Sequence, residues 1–311
     1  MNAQLSRSAE PTRRSSSPTI VVGVDGSESN ASAIRWAAQE AAARRCRLVL
    51  SSACVAYAGT AGYDAWYPYK QVVDETCDAL DKLRDHLCGD VPDVAVHVTT
   101  GGSLRTLLNE AEAGADLLVV GQRGAGAWSR LVIGSTSIAL AGRSPVPVVV
   151  VPDVWAASQR SGPVVVGLPA KPGGLPVASA PLVQFAFEHA DRLQVPLVAE
   201  TAVQVPYLKA WSIKQVESWR QANEEESSRL LATWHDHFPA VEVVRHATVA
   251  RPTEALLNTF ETAQILVVGR HNGQPHIGGF SLGSTARAVL HRALVPVAIV
   301  PTPPILQSQK G

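Results

Sequence analysis

The chain contains the same series of short segments twice, in the same order. The first series is TIVVGVD at 19–25, ADLLVVG at 115–121, and GST at 134–136 followed by SIALAGRSPVPVVVVP. The second is PVVVGLP at 163–169, AQILVVG at 263–269, and GST at 283–285 followed by ARAVLHRALVPVAIVP. A spacing of 144 to 149 residues between the copies is too long for a solenoid. The repeat therefore indicates two homologous domains.

The repeat also sets the expected domain boundaries. We expect the first domain at 19–152, a linker at 153–161 and the second domain at 162–303. Residues 1–18 are rich in Ser, Arg and Pro and have no apolar core, which predicts a disordered tail rather than a secretory signal. Residues 304–311 are expected to form a second tail.

Each half alternates strand-like and helix-like segments. In the first half, apolar β-branched runs predict strands at 20–24, 47–53, 94–99, 116–120 and 146–151. Ser29 or Asn30 is expected to cap the first helix, which runs to Arg44. The pattern predicts an α/β fold of two tandem homologous doubly wound domains, each a five-stranded parallel sheet flanked by helices. Such sheets bind ligands at the carboxyl ends of their strands, where the strand order reverses.

Composition excludes several classes of partner. Lys+Arg and Asp+Glu both number 27, so the chain lacks the basic excess of a nucleic-acid binder. No apolar run approaches the roughly 20 residues that span a bilayer. We expect a cytoplasmic protein with neither nucleic acid nor a membrane as partner. The four cysteines form no CxxC pair and are expected to be core thiols in a reducing cytosol: Cys46, Cys54, Cys77 and Cys88.

A glycine-rich segment, GQRGAGAWSRLVIGSTS at 121–137, follows the fourth predicted strand. Its pattern is G-x2-G-x9-G-S, formed by Gly121, Gly124, Gly134 and Ser135. Glycines let main-chain N–H groups approach an anion, and the helix expected from Gly134 onward adds unpaired N–H donors and a partial positive charge. Ser135, Thr136 and Ser137 add hydroxyls, while Arg123 either supplies a charge or points to solvent. The segment is neither a Walker loop nor GxGxxG, and a turn without a ligand is the alternative interpretation.

Asp25 lies at the end of the first predicted strand, directly before Gly26. A carboxylate there can accept a hydrogen bond from an exocyclic amine or a ribose hydroxyl, although a helix-capping or turn aspartate is the alternative. Asp25 and the glycine-rich segment share one sheet edge. Together they favour a nucleotide, with its base near Asp25 and its phosphates on 121–137.

These segments resemble the universal stress protein family. The resemblance rests on VVGVDGSESNASAIRWAAQEAAARR, ADLLVVGQRG and the G-x2-G-x9-G-S pattern, and it extends over both domains. It implies the five-stranded fold and membership of the ATP-binding branch, with or without Mg²⁺. It also implies pairing of the domains through strand five within the chain, and a homodimer through the same strand. The fifth strands, VPVVVVP and VPVAIVP, are apolar and β-branched, as expected of an edge that seeks a partner.

The resemblance further assigns roles to particular residues of the first domain. It implies that Asp25, Ala53 and Val120 contact adenine and ribose. It implies that ribose and phosphates are held by Gly121, Gly124, Gly134, Ser135 and Ser137, with Thr136 contributing its main chain.

The second domain departs from this pattern. Pro169 replaces Asp25, Asn272 stands where Gly124 aligns, and Ala286 replaces Ser137. A weak second site would rest on Gly269, Gly273, Gly283 and Ser284. We expect one strong ATP site in the first domain and a weakened or lost one in the second.

No catalytic motif such as GxSxG or HExxH occurs in the sequence, and no metal site is expected. His235 and His237 are expected at a solvated helix end, and His271 and His276 in a solvated loop. We expect a nucleotide-dependent stress-response regulator with at most slow ATP hydrolysis. The alternatives are an enzyme that transfers adenylate or phosphate on a related scaffold, and a dimeric scaffold without a ligand.

Overall fold

The first half of the chain alternates strands and helices as predicted. The computed structural model describes residues 18–54, 66–123, 133–156, 162–169, 179–204, 212–258, 263–271 and 282–302. The strands of the first half are β1 (Thr19–Gly23), β2 (Arg47–Cys54), β3 (Asp93–Thr100), β4 (Leu117–Gly121) and β5 (Val148–Val151). Its helices are α1 (Ala31–Arg44), α2 (Trp66–Leu87), α3 (Ser103–Glu112) and α4 (Ser135–Arg143).

The second half repeats this order. Its strands are β6 (Val164–Leu168), β7 (Leu197–Ala202), β8 (Val243–Thr248), β9 (Ile265–His271) and β10 (Val297–Thr302). Its helices are α5 (Ala180–Leu193), α6 (Ile213–His237), α7 (Pro252–Asn258) and α8 (Ser284–Arg292). The predicted tandem α/β fold is confirmed.

All ten strands lie in one sheet, in the order β3-β2-β1-β4-β5-β10-β9-β6-β7-β8. Neighbouring strands within each half are parallel, whereas β5 and β10 pair antiparallel, with Val149 opposite Ala298. The expected pairing of the two halves through their fifth strands is therefore confirmed. Each fifth strand now has a neighbour on both sides. Neither strand therefore offers a free edge to another chain, and the expected homodimer stays a prediction.

The sheet is covered on both faces, and each face carries one apolar core that spans both halves. Helices α1, α2, α5 and α6 pack on one face, and α3, α4, α7 and α8 on the other. All four residues of β5 are buried, as are all five of β4. This burial explains why the central strands are continuous apolar runs rather than alternating ones.

The start of the linker is held against the first half. The Ser32 hydroxyl donates to the carbonyl oxygens of Asp153 (2.8 Å) and Trp155 (3.2 Å), and the Trp155 side chain is buried in the core. The rest of the linker, 157–161, lies outside the described residues, as do residues 1–17 and 303–311 of the two predicted tails.

Two side-chain expectations are wrong. Asn30 precedes α1 but makes no side-chain cap; its amide instead donates to the carbonyl oxygen of Gly23 at 3.0 Å, and the Ser29 hydroxyl pairs with Ser27. Cys46 and Cys54 are buried thiols as expected, and all four cysteines are free. Cys88, however, is exposed, because it follows the last residue of α2 in a turn.

A buried charged cluster joins the halves on the face of α1 and α5. Glu40 of α1 contacts Arg44 of the same helix and Arg192 and His189 of α5. Burial alone would raise the pKa of Glu40, but the neighbouring His189, Arg44 and Arg192 hold it below its ordinary value. Burial lowers the pKa of His189, which stacks between Trp36 and Phe185. The cluster is therefore a carboxylate between two arginines beside a neutral imidazole.

Candidate functional site

A cavity of about 710 Å³ opens at the carboxyl ends of β1, β2 and β4. Its volume lies within the range of about 300–1,000 Å³ that is typical of small-molecule sites. Strand β1 has β2 on one side and β4 on the other, so the cavity occupies the point where strand order reverses. Its wall is formed by Gly23, Val24, Asp25, Asn30, Ser51, Ala53, Ser103, Thr106, Leu107, Val120, Gly121, Arg123, Ile133, Gly134, Ser135, Thr136, Ser137, Ile138, Arg287 and His291.

The structure brings most of the predicted first-half residues together in this wall. Gly124 lies outside the described residues, and every other one lines the cavity: Asp25, Ala53, Val120, Gly121, Arg123, Gly134, Ser135, Thr136 and Ser137. They come from the ends of β1, β2 and β4 and from the start of α4. Segments more than a hundred residues apart in the sequence therefore meet at one place.

Asp25 has the turn role that was one of the two interpretations of the sequence, and it also lines the cavity. Its Oδ1 accepts hydrogen bonds from the backbone N–H (3.0 Å) and the hydroxyl (2.7 Å) of Ser27. Gly26 between them has a φ of +76°, a conformation that favours glycine. The same carboxylate is exposed and lines the cavity. Asp25 is thus a turn residue whose side chain is held at the cavity wall.

Gly121 is a position where a side chain would be tightly packed. A Cβ atom there would stand 3.0 Å from the carbonyl oxygen of Arg123 and 3.4 Å from the Asn30 amide nitrogen. The missing side chain lets the backbone at the end of β4 lie close to Arg123 and Asn30. Asn30, which ties the end of β1 to the start of α1, was missed as a site residue; its position at a helix start was the only signal in the sequence.

The first turn of α4 faces the cavity. Gly134 is its N-cap, without a side-chain cap, and the first N–H groups of a helix have no carbonyl partner within it. With the helix dipole they favour an anion. The Ser137 hydroxyl donates to the carbonyl oxygen of Gly121 at 2.7 Å, so it fixes the helix start to the end of β4. The remaining hydroxyls of this turn, on Ser135 and Thr136, line the cavity.

Arg123 neither points to solvent nor carries an unmatched charge. It forms an ion pair with Asp153 (2.9 Å between Arg123 Nη2 and Asp153 Oδ1), and both side chains are mostly buried. The ion pair closes the wall beside Gly121. Its charge is already compensated by the chain itself.

The second half contributes part of the wall. Arg287 and His291 lie one turn apart on α8, and both line the first-half cavity. Gln122 Nε2 donates to the carbonyl oxygen of Leu290 at 2.8 Å, which ties the loop after β4 to α8. None of these three residues was predicted from the sequence, because their roles depend on how the two halves pack.

The corresponding region of the second half differs. Pro169 follows β6, Gly283 is the N-cap of α8 and Ser284 its first residue. A Cβ on Gly269 would stand 3.3 Å from a methyl group of Thr302, and Gly273, Asn272 and His276 lie outside the described residues. Arg270 takes the place of Gln122; it is buried, which lowers its pKa, and donates to the carbonyl oxygen of Ser144 at 2.7 Å.

A smaller cavity of about 230 Å³ adjoins the main one, and Thr106 lines both. It contains a contact between His97 Nδ1 and Glu110, which raises the pKa of His97, while partial burial opposes this shift. The second half has a similar pair, His246 and Glu200, 3.5 Å apart, in which burial raises the pKa of Glu200. The pairs give each half an acid and an imidazole beside its third strand.

No group of three or more metal-ligating side chains occurs among the residues that the structure describes. His235 and His237 are exposed at the end of α6, and His237 Nδ1 lies 2.8 Å from the carbonyl oxygen of Thr233. Within the described ranges, no helix is long and apolar enough to cross a membrane.

Comparison with known proteins agrees with this fold. The model of the universal stress protein family matches residues 17–152 and again 174–301. The chain belongs to the universal stress protein family. A universal stress protein of Mycolicibacterium smegmatis is 32% identical over 298 residues, which cover 90% of this chain and 96% of that relative. A universal stress protein of Mycobacterium tuberculosis is 32% identical over 300 residues, with the same coverage of 90% and 96%.

Solved structures of universal stress proteins share the architecture. A crystal structure from Archaeoglobus fulgidus matches with a TM-score of 0.66 at 15% identity, over 92% of this chain and 99% of that one. At such low identity the likeness shows the fold alone. Both comparisons extend over nearly the full length, so the tandem arrangement is shared with these universal stress proteins.

Proposed function

We propose that the first-half cavity binds ATP and that the protein acts as a nucleotide-dependent stress-response regulator. The observation that carries the proposal is the cavity itself. It joins Asp25, the close backbone turn at Gly121 and the open first turn of α4 at one strand-order reversal. A carboxylate for hydroxyl or amine donors and a helix start for phosphates are the two recognition elements that a nucleotide needs.

Each part of ATP has a matching part of the wall. Ala53, Leu107 and Val120 provide an apolar surface for the adenine ring. Asp25 offers a carboxylate to the ribose or the exocyclic amine. Gly134 and the first turn of α4 present main-chain N–H groups to the phosphates. Mg²⁺ would be held chiefly by the phosphates and water, because Asp25 is the one carboxylate among the described residues of the wall.

The same wall supports binding more than turnover. Efficient phosphoryl transfer needs a group that positions or activates the nucleophile. Among the described wall residues the candidates are Asp25, which already accepts two hydrogen bonds from Ser27, and His291. We therefore expect hydrolysis to be slow at most, and the bound nucleotide to act as a signal. The cytoplasmic location predicted from the sequence stays a prediction.

The second half is proposed to bind ATP weakly or not at all. Pro169 has no side-chain acceptor where the first half has Asp25, and Ala286 has no hydroxyl where Ser137 ties the helix start to β4. We expect one tight site per chain. Gly269, Gly273, Gly283 and Ser284 are the residues on which any weak second site would depend.

The test is calorimetric titration of the purified chain with ATP, after removal and mass-spectrometric identification of any co-purified nucleotide. We expect saturation at one ATP per chain. D25A should weaken binding by about tenfold or more, since a hydrogen bond to a charged group contributes about 1.5–3 kcal/mol.

Two matched variants separate a ligand contact from a structural effect. S27A removes the hydroxyl that bonds Asp25 but leaves the carboxylate, and D90N removes an exposed charge in the turn after α2. Both should bind ATP within about twofold of the wild type. An ATP affinity of D25A equal to that of the wild type would contradict the proposal. Rapid turnover with Mg²⁺ would indicate a transfer enzyme instead, and no binding of any adenine nucleotide would indicate a scaffold.

A further inference from the structure

The wall of the first-half cavity is completed by a helix of the second half. Arg287 and His291 are four residues apart on α8, so they lie on one helix face, and both line the cavity with the first turn of α4. That turn is where the proposed function places the phosphates. We propose that Arg287 and His291 bind the terminal phosphates of ATP, so that the nucleotide bridges the two halves of the chain.

The distribution of charge supports Arg287 as the phosphate ligand. Arg123, the cation nearest to the glycine turn in the sequence, is already paired with Asp153. Arg287 forms no ion pair with any residue that the structure describes, and its side chain is exposed. A planar guanidinium can donate two parallel hydrogen bonds to a phosphate. Among the described residues of the wall, the arginine that forms no ion pair therefore comes from the second half.

Helix α8 is held at a fixed place relative to the cavity. Gln122, which follows Gly121 directly, donates to the carbonyl oxygen of Leu290, the residue before His291. The antiparallel pairing of β5 with β10 fixes the halves further. Because α8 is tied to the cavity wall at two levels, Arg287 and His291 are positioned before a ligand binds.

The two halves differ at the positions that correspond to Arg287 and His291. Positions 138 and 142 of α4 match Arg287 and His291 of α8, and they hold Ile138 and Gly142. At these two positions the first half therefore has no charged side chain. The half with Asp25 and the intact glycine pattern receives Arg287 and His291, and the half with Pro169 supplies them. This match between two independent asymmetries favours a functional role for α8.

The inference rests on the proposed function, and a series of ligands tests it separately. The wild type and R287Q are titrated with ATP, ADP, AMP and adenosine by calorimetry. We expect R287Q to lose about tenfold in ATP affinity, less for ADP, and to bind adenosine within about twofold of the wild type. H291N should show the same order of losses with a smaller amplitude, and R287K should retain part of the affinity for ATP.

The matched control is R292Q, which removes the same charge from the residue that follows His291 and lies outside the cavity wall. It should leave all four affinities within about twofold. Thermal unfolding of each variant shows whether its fold is intact. ATP binding by R287Q that equals that of the wild type, or a loss that is the same for ATP and adenosine, would overturn the inference while leaving the ATP site standing. A wild-type chain that binds none of the four ligands would overturn both.

Discussion

The side-chain amide of Gln122 in the first half donates a 2.8 Å hydrogen bond to the carbonyl oxygen of Leu290 in the second half. Gln122 is buried, and it lies between Gly121 and Arg123, both of which line the candidate nucleotide cavity. One segment of three residues therefore touches the proposed ligand site and also fixes a helix of the other half. This makes the interface between the halves part of the site.

Replacing Gln122 should weaken that interface. Q122A leaves the Leu290 carbonyl buried without its donor, and we expect the free energy of unfolding to fall by about 1–3 kcal/mol. Urea denaturation measures the change. The control is Q71A, which breaks an exposed Gln71–Glu75 contact on α2 and should cost no more than about 0.5 kcal/mol. Equal losses of stability in the two variants would show that the hydrogen bond between the halves contributes no more than an exposed side-chain contact.

A methyl group at Gly121 should disturb the cavity more than the fold. In G121A the new Cβ meets the Arg123 carbonyl oxygen at 3.0 Å, so the turn after β4 must shift. We expect ATP affinity to fall about tenfold or more, because Ser137 ties the first turn of α4 to the carbonyl oxygen of Gly121 itself. G89A is the matched control, since no atom lies within 4 Å of its new Cβ. Calorimetry should show no change for G89A; unaltered binding by G121A would contradict the assignment.

Much of the fold and part of the site follow from the sequence, for local reasons. Buried apolar runs such as 117–121 predict their own strands, and Asp25 and Gly134 were placed by their positions at a strand end and a helix start. Arg287 could not be placed this way. Its part in the cavity depends on the antiparallel pairing of β5 with β10, which joins segments about 150 residues apart. Likewise, nothing local to Arg123 indicates that Asp153, beyond β5, will pair with it.

Neutralising Glu40 should destabilise the opposite face of the sheet. E40Q leaves the mostly buried side chains of Arg44 and Arg192 without the carboxylate that both contact. Removing one partner of a buried ion pair costs about 3–5 kcal/mol. Because both arginines are partly exposed, we expect the free energy of unfolding, measured by urea denaturation, to fall by about 3 kcal/mol, at the lower end of that range. E217Q, an exposed position on α6, should change stability by less than about 0.5 kcal/mol. A loss below 1 kcal/mol in E40Q would mean that solvent already screens the cluster.

Two histidines should make stability depend on pH in opposite directions. Burial lowers the pKa of His189, so the unfolded chain takes up a proton more readily and this residue makes stability fall as the pH drops below about 6.5. Glu110 raises the pKa of His97 in the folded chain. The stability that His97 contributes is therefore fully present below pH 6.5, and it is lost as the pH rises through the higher folded-state pKa.

Single variants separate these opposing contributions. The measurement is the urea midpoint of unfolding between pH 5 and 8. As the pH falls, the difference between the midpoints of the wild type and H189Q should shrink. The difference between the midpoints of the wild type and H97Q should grow. Glu40 adds its own loss only below its ordinary carboxyl pKa of 4.5, outside this window. Parallel slopes for H189Q and H97Q would contradict the assigned protonation states.

The pairing of β5 with β10 within one chain affects how the two halves can diverge in evolution. In a pair of identical subunits every substitution appears twice, so neither ligand site can be altered without the other. Within one chain, one half can carry Pro169 while the matching position of the other keeps Asp25. In the same way, Arg287 of the second half matches Ile138 of the first. A protein that recognises the surface formed by α4 and α8 therefore meets two different helices, and it can bind in a single orientation.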